Sequence, residues 1–145
     1  MEVHLYVEAS SAAPRKFPRR AAYVLEAGGR EGKPPATITG VIRTDETYNG
    51  AILEVLLAAL ARMNKKVPLH VHSYNRFVLA SMAESLEGWR TDGFRKADGS
   101  ELKNALLWKN LARELERTCE GKLTVHYGEH SYHQWMISEM KRTGG

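Results

Sequence analysis

The chain predicts an α/β fold: a mixed five-stranded sheet, three antiparallel strands and then parallel ones, with helices on its faces. Three observations carry this. The first third holds three strand-like stretches joined by loops too short for helices. A long apolar stripe at helical spacing follows them. The remainder alternates helical and strand-like patterns, which is the signature of crossover connections.

In chain order, Val3, Leu5 and Val7 alternate with His4, Tyr6 and Glu8, the period of a half-buried strand. Ala21 to Ala27 and Thr37 to Arg43 read as the next two strands. The run Gly28-Gly29-Arg30-Glu31-Gly32-Lys33-Pro34-Pro35 joins them as a hairpin loop. A helix is predicted from about Asn49 to Asn64, with Ile52, Leu53, Leu56, Leu57, Leu60 and Met63 inward. Val67 to His72 is a fourth strand. Phe77 to Leu86 is a helix with Phe77, Val78, Met82 and Leu86 facing the core. Asp98-Gly99 makes a turn, and Ser100 is placed to cap a helix to about Cys119 that buries Leu102, Leu106, Leu107 and Leu111. Leu123 to Tyr127 is the fifth strand and Trp135 to Lys141 the last helix. One domain over residues 1–145 is expected, because this length buries a single core and shows no internal repeat.

At 43% apolar and 26% charged residues the composition is that of a globular protein and excludes disorder. The net charge of +4 favours an anionic partner. Cys119, the single cysteine, excludes an internal disulfide and a cysteine metal cluster, and lacks a basic neighbour at reactive spacing, so it reads as structural. The N-terminus lacks the pattern of a signal peptide and no apolar run could span a bilayer, so a soluble, cytoplasmic protein is expected.

Two stretches suit nucleic acid. Residues 14–20 place Arg15, Lys16, Arg19 and Arg20 around Phe17, stiffened by Pro14 and Pro18. The run from Trp89 to Trp108, WRTDGFRKADGSELKNALLW, sets Phe94 among Arg90, Arg95, Lys96 and Lys103. Cations there can bind phosphates and rings can pack on sugars or bases.

That run resembles the basic protrusion of type-1 ribonuclease H without a gap, and the resemblance extends with less specificity over most of the chain. It implies the ribonuclease H fold and an RNA–DNA hybrid or duplex as partner. Trp89, Phe94, Arg95, Lys96 and Lys103 would then seat on the DNA backbone, with Ser10 and Asn49 in the groove. Tyr48 and Gly50 depart from the family beside Asn49.

Enzymes of this family hold two magnesium ions with four carboxylates, and two such cations need about that much negative charge to sit side by side. Here the resemblance matches only Glu8, one methylene longer than the family's aspartate. Ile52 stands at the second place, and Glu54, two residues on, points to the opposite face of its helix. Tyr74, or Ser73 with a slip of one, stands at the third. Ile137 or Ser138 stands at the fourth, with Glu139 just beyond. His130-Ser131 resembles the family's mobile histidine loop, shortened.

The resemblance therefore implies a nucleic-acid-binding domain that has lost metal-dependent hydrolysis, with no cofactor and no metal expected (Glu8 if any). Two alternatives stand beside it. One is a magnesium-dependent ribonuclease H rebuilt on Glu8, Glu139 and Asp45 or Glu46; the other is a module that docks a protein partner. His70 and His72 alternate on one strand, and His126, His130 and His133 cluster later. A zinc or nickel site is imaginable, but no spacing matches a ligand motif, so they read as hydrogen-bonding residues.

Overall fold

The computed structural model describes residues 1–28 and 32–143; residues 29–31 of the hairpin loop fall outside it. Strands β1 (Val3–Ala9), β2 (Arg19–Ala27) and β3 (Ala36–Thr44) form an antiparallel meander. Helix α1 (Tyr48–Leu60) leads to β4 (Leu69–Ser73), which pairs in parallel with β1. Helices α2 (Arg76–Ala80) and α3 (Leu86–Thr91) flank a π-helical turn at Ser81–Ser85. Helix α4 (Ala105–Thr118) precedes β5 (Thr124–Tyr127), parallel to β4, and α5 (His133–Arg142) ends the described chain. The sheet order is β3-β2-β1-β4-β5, a mixed five-stranded sheet as the pattern predicted.

The period of two assigns each face of the sheet. Leu5, Val7, Tyr23, Leu25, Leu69 and Val71 point toward α1 and α4, where Ile52, Leu56, Leu60, Trp108 and Leu111 complete the main core. At the meander, Gly40 lies opposite Tyr23, and a Cβ there would stand 2.5 Å from the Tyr23 ring, so only glycine lets the two strands pair. The opposite face carries Tyr6, Ala22 and Val24 against Met136 and Met140 of α5, a smaller core. Helix α5 packs on the β1–β2 part of that face through Tyr6, Ala22 and Val24, while His4 of β1, His70 and His72 of β4 and His126 of β5 lie together beside it. Among the described residues no helix is long and apolar enough to cross a membrane.

Local chemistry sets the helix starts. The Thr47 hydroxyl accepts from the Gly50 N–H at 3.1 Å and caps α1, and the Asn75 side chain accepts from the Val78 N–H at 2.8 Å and caps α2. Helix α4 departs from expectation. Ser100 does not cap it: its N–H and hydroxyl both bond Asp98, closing a turn that competes with helix. The helix begins five residues later, after Asn104 in the left-handed region at φ 62°. With that start Ala105, Trp108 and Leu111 face inward and Leu106 is left 68% exposed, contrary to the expected stripe.

Phe77 also turns out 57% exposed, because the inward face of α2 is Val78 and Leu79, a step of about 100° away. The helical path runs on to Thr91 rather than stopping at Leu86, because the π-helical turn shifts the phase and keeps Met82 and Leu86 on the core. Helix α1 stops at Leu60, four residues short of the expected Asn64, and turns carry the chain through Met63.

Candidate functional site

Strand β1 delivers Glu8 to the end of the sheet where β4 also ends. Glu8 is 4% exposed and its carboxylate is met by several donors at the edge of a groove. The Tyr74 N–H donates to both oxygens, at 3.0 and 3.3 Å, and the Ser73 hydroxyl donates at 3.3 Å. His130 Nε2 lies 2.8 Å from Oε2. The Tyr132 N–H donates to His130 Nδ1, so that nitrogen accepts and the Nε2 proton points at Glu8. A buried carboxylate met by a backbone amide, a hydroxyl and an imidazole is a satisfied structural anion.

The residues expected at the other three carboxylate positions have roles of their own. Ile52 is fully buried in the main core. Glu54 turns away on the helix and accepts from the Thr44 hydroxyl at 2.6 Å. Tyr74 contributes its amide, while its hydroxyl donates to Glu129 at 3.0 Å. At the fourth place Ile137, not Ser138, lines the groove next to Glu8; Ser138 is exposed on another side of α5.

That groove, about 630 Å³, also takes in Ser10, Tyr48, Tyr74 and His133. Burial, together with the charge of Glu8, pushes the Tyr48 hydroxyl up to about 12. His133 Nδ1 lies 3.4 Å from Glu129 Oε1 without hydrogen-bond geometry. Asn49 is tied to Asn75, whose Nδ2 donates to its Oδ1 at 2.9 Å. Glu139 and Asp45 do not join Glu8: Glu139 pairs with Arg142 at 2.8 Å and does not line the Glu8 groove, and Asp45 lies with Arg43 in a separate groove.

The basic stretch divides into a buried half and an exposed half. Phe94 is 7% exposed and belongs to the main core, so its ring does not face a ligand as expected. Its positive φ of 61° turns the chain so that the ring drops inward while the next residues swing out. Trp89 likewise packs edge-on against the buried Trp108, with centroids 5.0 Å apart. The rings anchor and the cations are displayed: Arg95, Lys96 and Lys103 are all exposed. Arg95 and Glu101 pair across a small hairpin closed by the Lys96 N–H to the Ser100 carbonyl at 2.8 Å.

In the other basic stretch Arg19 is a further correction. It is 4% exposed, stacks 4.1 Å from the Phe17 centroid, and donates to the carbonyls of Ser11, Arg15 and Glu46. Arg19 therefore braces the loop. Arg15 and Lys16 remain exposed. Cys119 is half-buried, and burial pushes its thiol up, which makes it a poor nucleophile.

No family model matches this chain. Its sequence is 32% identical over 78 residues to the ribonuclease H of Saccharopolyspora erythraea, which covers 53% of this chain and 50% of that protein. It is 29% identical over 110 residues to the ribonuclease H of Aliivibrio salmonicida, 69% of each. The chain thus spans about half the length of the first of these relatives. Among solved structures it superposes on LC9-RNase H1, described as a type 1 RNase H with the type 2 active-site motif, with TM-score 0.72 at 14% identity, covering 98% of this chain and 69% of that one. It superposes on the foamy viral protease–reverse transcriptase in complex with RNA/DNA hybrid with TM-score 0.68 at 19% identity, covering 96% of this chain and 18% of that one. The fold is that of ribonuclease H. By sequence the chain is similar to ribonucleases H over half to two thirds of its length.

Sequence reasoning missed how the site is assembled. Ser73 and the Tyr74 amide clamp Glu8, and Tyr48 fills the groove in the place of charge. The clamp was readable only as the end of a strand beside another strand, because a backbone N–H leaves no mark in a sequence.

Proposed function

We propose that this chain is a nucleic-acid-binding ribonuclease H-like domain, with RNA–DNA hybrid or duplex as ligand, that lacks metal-dependent hydrolysis. The observation that carries it is the state of Glu8, the one carboxylate left at the site. Its oxygens already accept from Tyr74, Ser73 and His130. A magnesium ion wants oxygen ligands at about 2.1 Å in octahedral geometry and keeps several waters. Here it would have to displace those donors and gain a single negative ligand. Two such ions side by side would repel with Glu8 as the one carboxylate lining the groove to offset them, since Ile52 and Ile137 contribute no charge.

Binding is supported by the exposed cations. Arg95, Lys96 and Lys103 project from a rigid base made by the buried Phe94, Trp108 and Ala105. Arg20 and Arg43, paired across β2 and β3, line a second groove beside the first. Cations on a fixed scaffold attract phosphates with little ordering cost. The RNA/DNA hybrid bound by the structurally similar foamy viral protein favours the hybrid as ligand. The absence of a directed ring on this surface favours backbone contact over base stacking.

The test is a hybrid substrate incubated with the protein, with and without magnesium or manganese, alongside a binding titration at low salt. Saturable binding without cleavage is expected. Metal-dependent cutting that disappears in Glu8→Gln would overturn the reading in favour of a rebuilt enzyme. Absence of any binding at low salt would favour the protein-docking alternative.

A further inference from the structure

Glu8 is not where the imidazoles collect. His4 on β1 lies beside His70 on β4 in the parallel register, and His72 lies beside His126 on β5. All four share the sheet face of Tyr6, the face on which α5 packs. The His4 and His70 rings stack at 4.4 Å and 14°, and the His72 and His126 rings at 4.3 Å and 11°. Glu2 reaches over the first pair, with one oxygen 3.2 Å from His4 Nε2 and the other 3.1 Å from His70 Nε2. The metal-ligating atoms of Glu2, His4 and His70 all lie within 4.8 Å of one another.

We propose that Glu2, His4 and His70 form a binding site for a divalent transition-metal ion, zinc before others, with His72 and His126 positioning the two ligating imidazoles. Two imidazole nitrogens and a carboxylate are a donor set that zinc accepts, with a fourth position left to water. Zinc bonds of about 2.0–2.2 Å put neighbouring donors roughly 3.3–3.6 Å apart on a tetrahedron. The carboxylate-to-imidazole separations here are already close to that edge, and the stacked His4 and His70 rings must tilt toward each other for both Nε2 lone pairs to meet at one ion. The ligands are reachable: the His4 and His70 side chains are 24% and 22% exposed, and Glu2 is 52% exposed.

The outer contacts point the same way. A ligating imidazole coordinates through one nitrogen and donates from the other to a fixed acceptor, which sets its tautomer and its angle. His4 Nδ1 lies 2.8 Å from His72 Nε2, and His70 Nδ1 lies 2.9 Å from His126 Nε2. Each ligand therefore has its own positioning imidazole at hydrogen-bond distance. Tyr6 closes the stack behind His72 at 4.3 Å. With the metal on both Nε2 atoms, His4 and His70 carry their protons on Nδ1 and donate outward. Each pair shifts one proton along its length while all four rings stay neutral. Sequence spacing pointed to no metal because the ligands come from two distant segments, and only the parallel pairing of β1 with β4 brings them together.

This proposal is independent of the nucleic-acid reading, since neither Glu8 nor the exposed cations take part. It is tested on the full chain, stripped with a chelator and titrated with zinc by calorimetry and by competition with a chromophoric chelator. One equivalent should bind, and cobalt(II) should give the intense visible bands of a tetrahedral site. Glu2→Gln lies on an exposed residue that the fold does not need, and it should weaken binding at least about tenfold, as should His70→Asn. His72→Phe, a positioning variant, should weaken binding by about 10–100-fold while keeping the ion-to-protein ratio. Glu101→Gln, in the Arg95–Glu101 hairpin, should change nothing, with circular dichroism confirming that each variant is folded. The proposal is overturned if zinc shows no saturable binding, if Glu2→Gln and His70→Asn bind as the parent does, or if the cobalt spectrum is the weak one of a hydrated octahedral ion.

Discussion

Replacing Glu8 with alanine separates a structural anion from a remnant of a metal site by the sign of one number. In a cluster of carboxylates each charge raises the energy of the others, so deleting one stabilises the fold in the absence of metal. Here the deletion would orphan the Tyr74 amide and the His130 Nε2 proton, and would free the Ser73 hydroxyl to rotate. An unsatisfied buried donor costs about 1–3 kcal/mol. Two such donors, partly relieved by water entering from the adjacent groove, give about 3 kcal/mol. For a chain of this length each kcal/mol moves the melting temperature by about 2–4 °C, so a drop of roughly 10 °C is expected. Urea unfolding at neutral pH with an unchanged m-value, together with calorimetry, measures it. Glu8→Gln, which keeps one acceptor oxygen, should fall in between. A Glu8→Ala protein as stable as the parent, or more stable, would refute the structural-anion account.

Three further outcomes are expected. Ile52→Glu should cost a few kcal/mol, because it places an unpaired charge at a fully buried position, and a fully stable variant in urea unfolding would show that the position opens to water. Arg95→Ala/Lys96→Ala should flatten the log–log dependence of hybrid affinity on salt by about one to two units, at about −0.9 per phosphate contact, while a double alanine change at the exposed Lys65 and Lys66 should not; equal losses would reduce the attraction to net charge alone. Burial first, then the neighbouring His126, His4, His130 and His70, push His72 down to about 3 from an ordinary 6.5. Above 6.5 neither state holds that proton, whereas below it the unfolded chain takes up a proton that the folded chain refuses. The melting temperature should therefore fall as pH drops from neutral to about 5, and His72→Phe should lessen the fall; an unchanged slope would place the titration elsewhere.

The basic stretch shows how far the sequence could be read. Its displayed cations and its turn at Asp98-Gly99 were legible, because charge and turn chemistry act locally. The inward direction of Phe94 was not. It follows from a positive φ imposed by the surrounding loop and from the space beside Trp108, and neither is written in the order of residues. The same holds for Ser100, whose capping chemistry was real but was spent on Asp98. Arg19 likewise reads as a surface cation, yet it bonds two carbonyls of its own loop and a third, that of Glu46, from the connection between β3 and α1.

What the sequence by itself determined was the mixed five-stranded sheet, the succession of strands and helices along the chain and the faces of the strands. Those depend on a period of two or 3.6 and on which side-chain types are present, and both are properties of neighbours in the chain. Tertiary structure alone decided what became of Glu8 and what the histidines make together. Glu8 is met by residues 65 or more positions away. His4 meets His70 because two parallel strands pair in one register and not in the next, and a slip of one residue would send one of the two rings to the opposite face of the sheet.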